Sequence, residues 1–138
     1  MVDYEIIEHT ADIGIKVEAA DLKSLFKNVA LAMFDIIAEE SNPADFPLQV
    51  IPIKQEADSL DELLMNWLNE LLSLSAIKEL VFSDFKIKEL KENSLQADAI
   101  GKDASCYKFN AEIKAATYHH LKVEQTKKGW QAEVIFDV

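Results

Sequence analysis

Apolar and polar residues alternate from Tyr4 to Glu18, with Ile13, Ile15 and Val17 on one side, and the spacing predicts a strand in two pieces. The period then lengthens. Asp21 can cap a helix whose apolar positions are Leu22, Leu25, Phe26, Val29, Ala30, Met33 and Phe34. Pro43 and Pro47 interrupt the chain, after which "LQVIPIKQEA" has the character of a strand, and Pro52 places it at an edge or bulge. Ser59 and Glu62 form a capping box ahead of a second helix, with Leu60, Leu63, Leu64, Trp67, Leu68, Leu71 and Leu72 on one face. Beyond Val81 the pattern is mostly strand: a hairpin turning near Asn93, then a longer one turning at Lys128 and Gly129. In the last strand Trp130, Ala132, Val134 and Phe136 point one way, and Gln131, Glu133, Ile135 and Asp137 the other. The expected loops are "EESNPADFP" (39 to 47) and "GKDASCYKFN" (101 to 110).

Two amphipathic helices and a largely antiparallel sheet each need the other's apolar surface, so the fold class is α+β. No repeat or low-complexity tract divides the 138 residues, of which 49% are apolar, and one domain over 1–138 is expected.

Charge narrows the range of functions. Twenty-five acids face 14 bases, all lysine, for a net of -11. Without a basic footprint the chain is poorly suited to gripping bare nucleic acid. It suits cations, or a partner protein with a basic face. Cys106 is the single cysteine, so neither a disulfide framework nor a zinc-type Cys/His spacing is available. No run approaches the ~18 apolar residues of a membrane span, and the start lacks the pattern of a secretory signal. The expectation is a cytoplasmic protein with no membrane partner.

Candidate chemistry rests on polar residues in places that secondary structure does not require. Asp12, in "EHTADIGI", stands immediately before an apolar beat, although aspartate is depleted in strands. It is either a locally stabilised turn or bulge, or a ligand. In "IFDV" a strand running to the last residue would bring the Asp137 side chain and the α-carboxylate of Val138 close together. With Asp12 these hard oxygens would suit Ca²⁺, Mg²⁺ or Mn²⁺, the cation offsetting their mutual repulsion. The competing view is a solvated, frayed strand end, and spacing alone favours it. Lys114 is expected on a strand between apolar neighbours, where a lysine commonly snorkels. His119 and His120, adjacent on a strand, are expected to face opposite ways, so at most one would be functional. No glycine-rich phosphate loop or nucleophile elbow is present.

Four separated stretches, "EHTADIGI", "LLMNWLNELL", "EIKAATYHHLKV" and "GWQAEVIFDV", resemble the archease family in order and in overall length. Its members are small acidic proteins that assist RtcB-type RNA ligases in tRNA splicing and RNA repair. The resemblance implies a strand-helix-strand-strand module with an inserted helical segment, and a protein cofactor that promotes guanylylation and multiple turnover of the ligase. RNA would be met only through the ligase. Carried over by motif, the family's metal site falls on Asp12, Asp137 and Val138, and Lys114 becomes a contact for a phosphate or the partner. Glu70 and His119 are supporting candidates. After "AIG" this chain has Lys102 where an acid is common in the family. Two other classes are a general chaperone or interaction module for nucleic-acid-modifying enzymes, and a metal-dependent phosphoesterase, which needs a positioned water and usually a second metal or base.

Overall fold

The structure, a computed structural model, describes residues 2–8, 12–41 and 46–138. Strands β1 (Glu5–Glu8) and β2 (Asp12–Ala19) lead into helix α1 (Leu22–Ile37) and a short strand β3 (Ala38–Glu40). Strand β4 (Gln49–Glu56), helix α2 (Leu60–Lys78), β5 (Leu80–Lys91) and β6 (Ser94–Asp103) follow. A 3₁₀ turn (Ala104–Cys106), β7 (Tyr107–Phe109), β8 (Ala115–Thr126) and β9 (Gly129–Asp137) complete the described elements. They form antiparallel sheets ordered β1-β2-β9-β8 and β4-β6-β5, with β3 and β7 pairing separately.

Both helices start as their sequences dictate. The Asp21 carboxylate accepts from the Ser24 amide at 2.8 Å, and the Ser59 hydroxyl accepts from the Glu62 amide at 3.2 Å. The helices touch strands of both sheets, which explains how broad their buried arcs are. On α2 that arc takes in Met65, which lies off the leucine face the spacing defines, while Leu60 and Leu72 are only half-buried. Trp67 donates its indole N–H to the Phe26 carbonyl at 3.0 Å, tying α2 to α1, and meets Phe85 edge-on at 5.5 Å. Trp67, Phe26, Phe82, Phe85 and Phe136 are fully buried, each contributing about 1.5–3 kcal/mol by leaving water.

The sheet β1-β2-β9-β8 has one dry and one wet face, as antiparallel sheets often do. Ile15, Val17, Ala132, Val134 and Phe136 are buried. On the other face the register lines up Glu5, Lys16, Glu133 and Lys122 as a ladder of alternating charge, Lys122 reaching Glu133 at 3.3 Å. Ile135 lies on this polar face yet is buried. Among the described residues no helix is long and apolar enough to cross a membrane.

Four expectations need correction. The 101–110 stretch is not a loop: β6 runs through Asp103, and β7 pairs with β3, so residues 39 and 40 also leave the first expected loop. Lys102 accordingly pairs with Glu40 at 3.2 Å, and that carboxylate raises the lysine's pKa. Of the rest of the first loop, residues 42–45 lie outside the described residues. The last hairpin turns at Lys127 and Lys128; Gly129 already pairs with Thr126, and its φ of 143° is open to glycine alone. Lys114 precedes β8 rather than lying within it. His119 and His120 do not face opposite ways, because β8 bulges between Thr117 and Lys122 and His120 takes a φ of 52°, leaving the two rings 4.2 Å apart. Pro52 does lie in an edge strand, β4, where its missing N–H is tolerated.

Candidate functional site

The position of Asp12 follows from strand parity. Ile13 pairs with Phe136, and Phe136 is fully buried against the helices. One residue further out, Asp12 therefore pairs with Asp137, on the opposite face of the sheet. On the other side of β9, Ala115 of β8 also pairs with Asp137. Asp12, Asp137 and Ala115 thus form one row across three strands, and directly opposed residues have Cβ atoms about 4.5–5.5 Å apart. The alanine is small and leaves the row open beside the carboxylates. Asp137 is exposed and Asp12 half-buried. Lys114 closes the row through its backbone, whose N–H donates to the Asp137 carbonyl at 2.8 Å, and the residue is exposed. Val138 follows Asp137 directly and is 40% exposed.

An unforeseen residue secures this strand end. Asn69 of α2 accepts from the Ala116 amide at 2.9 Å and donates to the Ala116 carbonyl at 3.2 Å. Its side-chain amide stands in for a neighbouring strand along the edge of β8, next to Ala115 and Lys114. No pattern in the chain signals it: Asn69 lies one turn beyond Met65, off the leucine face.

Two weaker candidates lie elsewhere. Glu70 is half-buried and accepts from the Gln55 side chain at 3.1 Å, which ties it to β4 of the other sheet. His119 stands in the β8 bulge beside His120. Among the described residues no group of three or more His, Cys, Asp and Glu side chains is gathered to hold a metal. The row instead offers two opposed carboxylates, with Val138 adjacent. Such an all-oxygen, solvent-facing donor set fits a hard cation and does not fit zinc.

Two small antiparallel sheets enclosing a pair of helices, with a carboxylate row at one strand end, define an α+β protein whose open polar site is on the sheet surface. The chain matches the model of the Archease protein family (MTH1598/TM1083) over residues 4–138, and it belongs to that family. It is 40% identical to protein archease of Pyrococcus furiosus, over 100% of both chains. It is 37% identical to protein archease of Methanosarcina acetivorans, covering 98% of this chain and 95% of that one. The solution structure of Methanobacterium thermoautotrophicum protein 1598 superposes with a TM-score of 0.76 at 30% identity, covering 98% of each chain. A Thermotoga maritima crystal structure described as an archease, possible chaperone, shares the fold with a TM-score of 0.67 at 22% identity, covering 96% of this chain and 94% of that one.

Proposed function

We propose that this protein is an accessory factor, not a catalyst: it holds a divalent cation at the Asp12–Asp137 row and promotes guanylylation and multiple turnover of an RtcB-type RNA ligase in tRNA splicing and RNA repair. The observation that supports this reading is the convergence of Asp12, Asp137 and Lys114 from β2, β9 and the approach to β8. Strand packing requires none of the three charges at that place. The partner class is the one that the resemblance of the four sequence motifs implies.

In this account Asp12, Asp137 and an oxygen of Val138 hold Ca²⁺, Mg²⁺ or Mn²⁺, which supplies positive charge for a phosphate. The exposed Lys114 offers a second cationic group at the same strand end. Asn69 holds the backbone that carries Lys114. RNA is then met through the ligase, in keeping with a net charge of -11. We place this activity in the cytoplasm.

The test is multiple-turnover ligation by the RtcB-type ligase of the same organism, with and without this protein. Stimulation of turnover, lost in Asp137→Asn, is the expected result; equal turnover with and without the protein overturns the reading. The name of the Thermotoga relative favours a second reading, a chaperone for nucleic-acid-modifying enzymes. That alternative predicts binding to several such enzymes with no effect on guanylylation.

A further inference from the structure

A cleft of about 620 Å³ opens between the C-terminal end of α2 and residues 109–113. Its floor includes Ile37, Leu72, Phe109 and Ile113, and Phe109 remains 54% exposed. The charged residues lining it are Glu79 and Glu112; no cation does so. Glu112 and Ile113 immediately precede Lys114, so cleft and row are joined by a few residues of one segment.

Glu79 is the informative residue. It caps α2 with a φ of 53°, a left-handed conformation in which glycine is the usual occupant. It also sets a carboxylate at the negative end of the helix dipole. Two local penalties fall on one exposed residue, and its side chain makes no hydrogen bond or ion pair among the described residues that would offset them. Retaining a carboxylate there makes sense if it meets a cation from outside. The cleft is unlike a small-molecule site, which needs a few convergent polar groups: no buried polar or charged side chain lies among the described residues, and the Ser75 hydroxyl is already given to the Leu80 carbonyl.

We infer that this cleft receives a segment of the partner ligase that presents one or two large apolar side chains flanked by lysine or arginine, the apolar groups meeting Phe109 and Ile113 and the cations meeting Glu79 and Glu112. The inference rests on the partner-activating reading above and adds a second contact, distinct from the carboxylate row, that governs affinity and not activation.

The experiment titrates the ligase of the same organism with wild type, Glu79→Gly, Phe109→Ser and Asp137→Asn, measuring binding, half-saturating concentration, maximal stimulation and thermal midpoint. Glu79→Gly relieves the left-handed strain, so its midpoint should rise by a few degrees, while its half-saturating concentration rises about threefold at low salt and less at high salt. A purely structural role would move both quantities in the favourable direction. Phe109→Ser should raise the half-saturating concentration about tenfold with maximal stimulation retained. Asp137→Asn should do the reverse, binding normally and stimulating little. Cleft variants that bind and half-saturate like wild type overturn this inference alone; failure of the wild type to bind the ligase overturns it together with the reading on which it rests.

Discussion

Replacing Asn69 with alanine should remove the grip of α2 on β8 without touching a carboxylate. Two hydrogen bonds go, from Asn69 to the Ala116 amide at 2.9 Å and to its carbonyl at 3.2 Å. Both are partly buried, and Ala116 itself is buried, so water replaces them poorly. At about 0.5–1.5 kcal/mol net for each bond, the loss is about 1–3 kcal/mol. Equilibrium unfolding in urea reads this as a lower midpoint at unchanged slope, provided the transition is two-state. Hydrogen exchange localises it: the Ala116 and Lys114 amides should lose protection, while the β4-β6-β5 sheet keeps its own. Asn69→Asp is a second probe, since it keeps the acceptor for the Ala116 amide but turns the donor into a charge facing a carbonyl. At neutral pH it should be at least as unstable as the alanine variant. An unfolding midpoint in Asn69→Ala equal to wild type would refute the reasoning.

Lys114→Ala should keep cation binding and the fold but lose stimulation of guanylylation, measured as the rate of nucleotide transfer to the ligase; undiminished stimulation would make Lys114 a mere surface residue. Asp21→Ala should cost about 1 kcal/mol at pH 7 in thermal or urea unfolding. Hydrogen bonding to Ser24 holds the Asp21 pKa below its usual value, so the cap's contribution is present above the unfolded pKa and fades as pH falls through the lower folded value. The difference between mutant and wild type should therefore be full above the unfolded value of about 3.9 and shrink only as the pH falls below it. Gly129→Ala should cost more than about 2 kcal/mol, since a Cβ there would lie 2.3 Å from the Ala19 carbonyl oxygen at a φ of 143°; a midpoint near wild type would contradict the described hairpin.

Both helices and their caps were legible because Asp21 and Ser59 sit where capping chemistry meets a 3.6-residue apolar period. The last strand was legible from its period of two, which only Ile135 interrupts. Parity then did more than the motif: once Phe136 must face the core, Asp137 must face away, and the antiparallel register brings Asp12 to it. The β8 bulge was not legible, because a left-handed His120 reverses the alternation that adjacent residues otherwise obey. Strand β7 was missed because three residues show no periodicity; their order comes from the Glu39 and Glu40 segment across from them. Asn69 was missed because its partners are backbone groups 47 positions away, which leave no pattern in the chain. Glu70, a supporting candidate from the resemblance, accepts a hydrogen bond from Gln55 of β4.

The central claim is that the strand end formed by β2 and β9 holds a hard divalent cation. Calorimetric titration of Mn²⁺ or Ca²⁺ into the wild type, Asp12→Asn and Asp137→Asn tests it most directly. The account predicts saturable binding by the wild type, weakened by about tenfold or more in each variant as a charged ligand is lost. Equal binding by all three proteins, or none by the wild type, would contradict it.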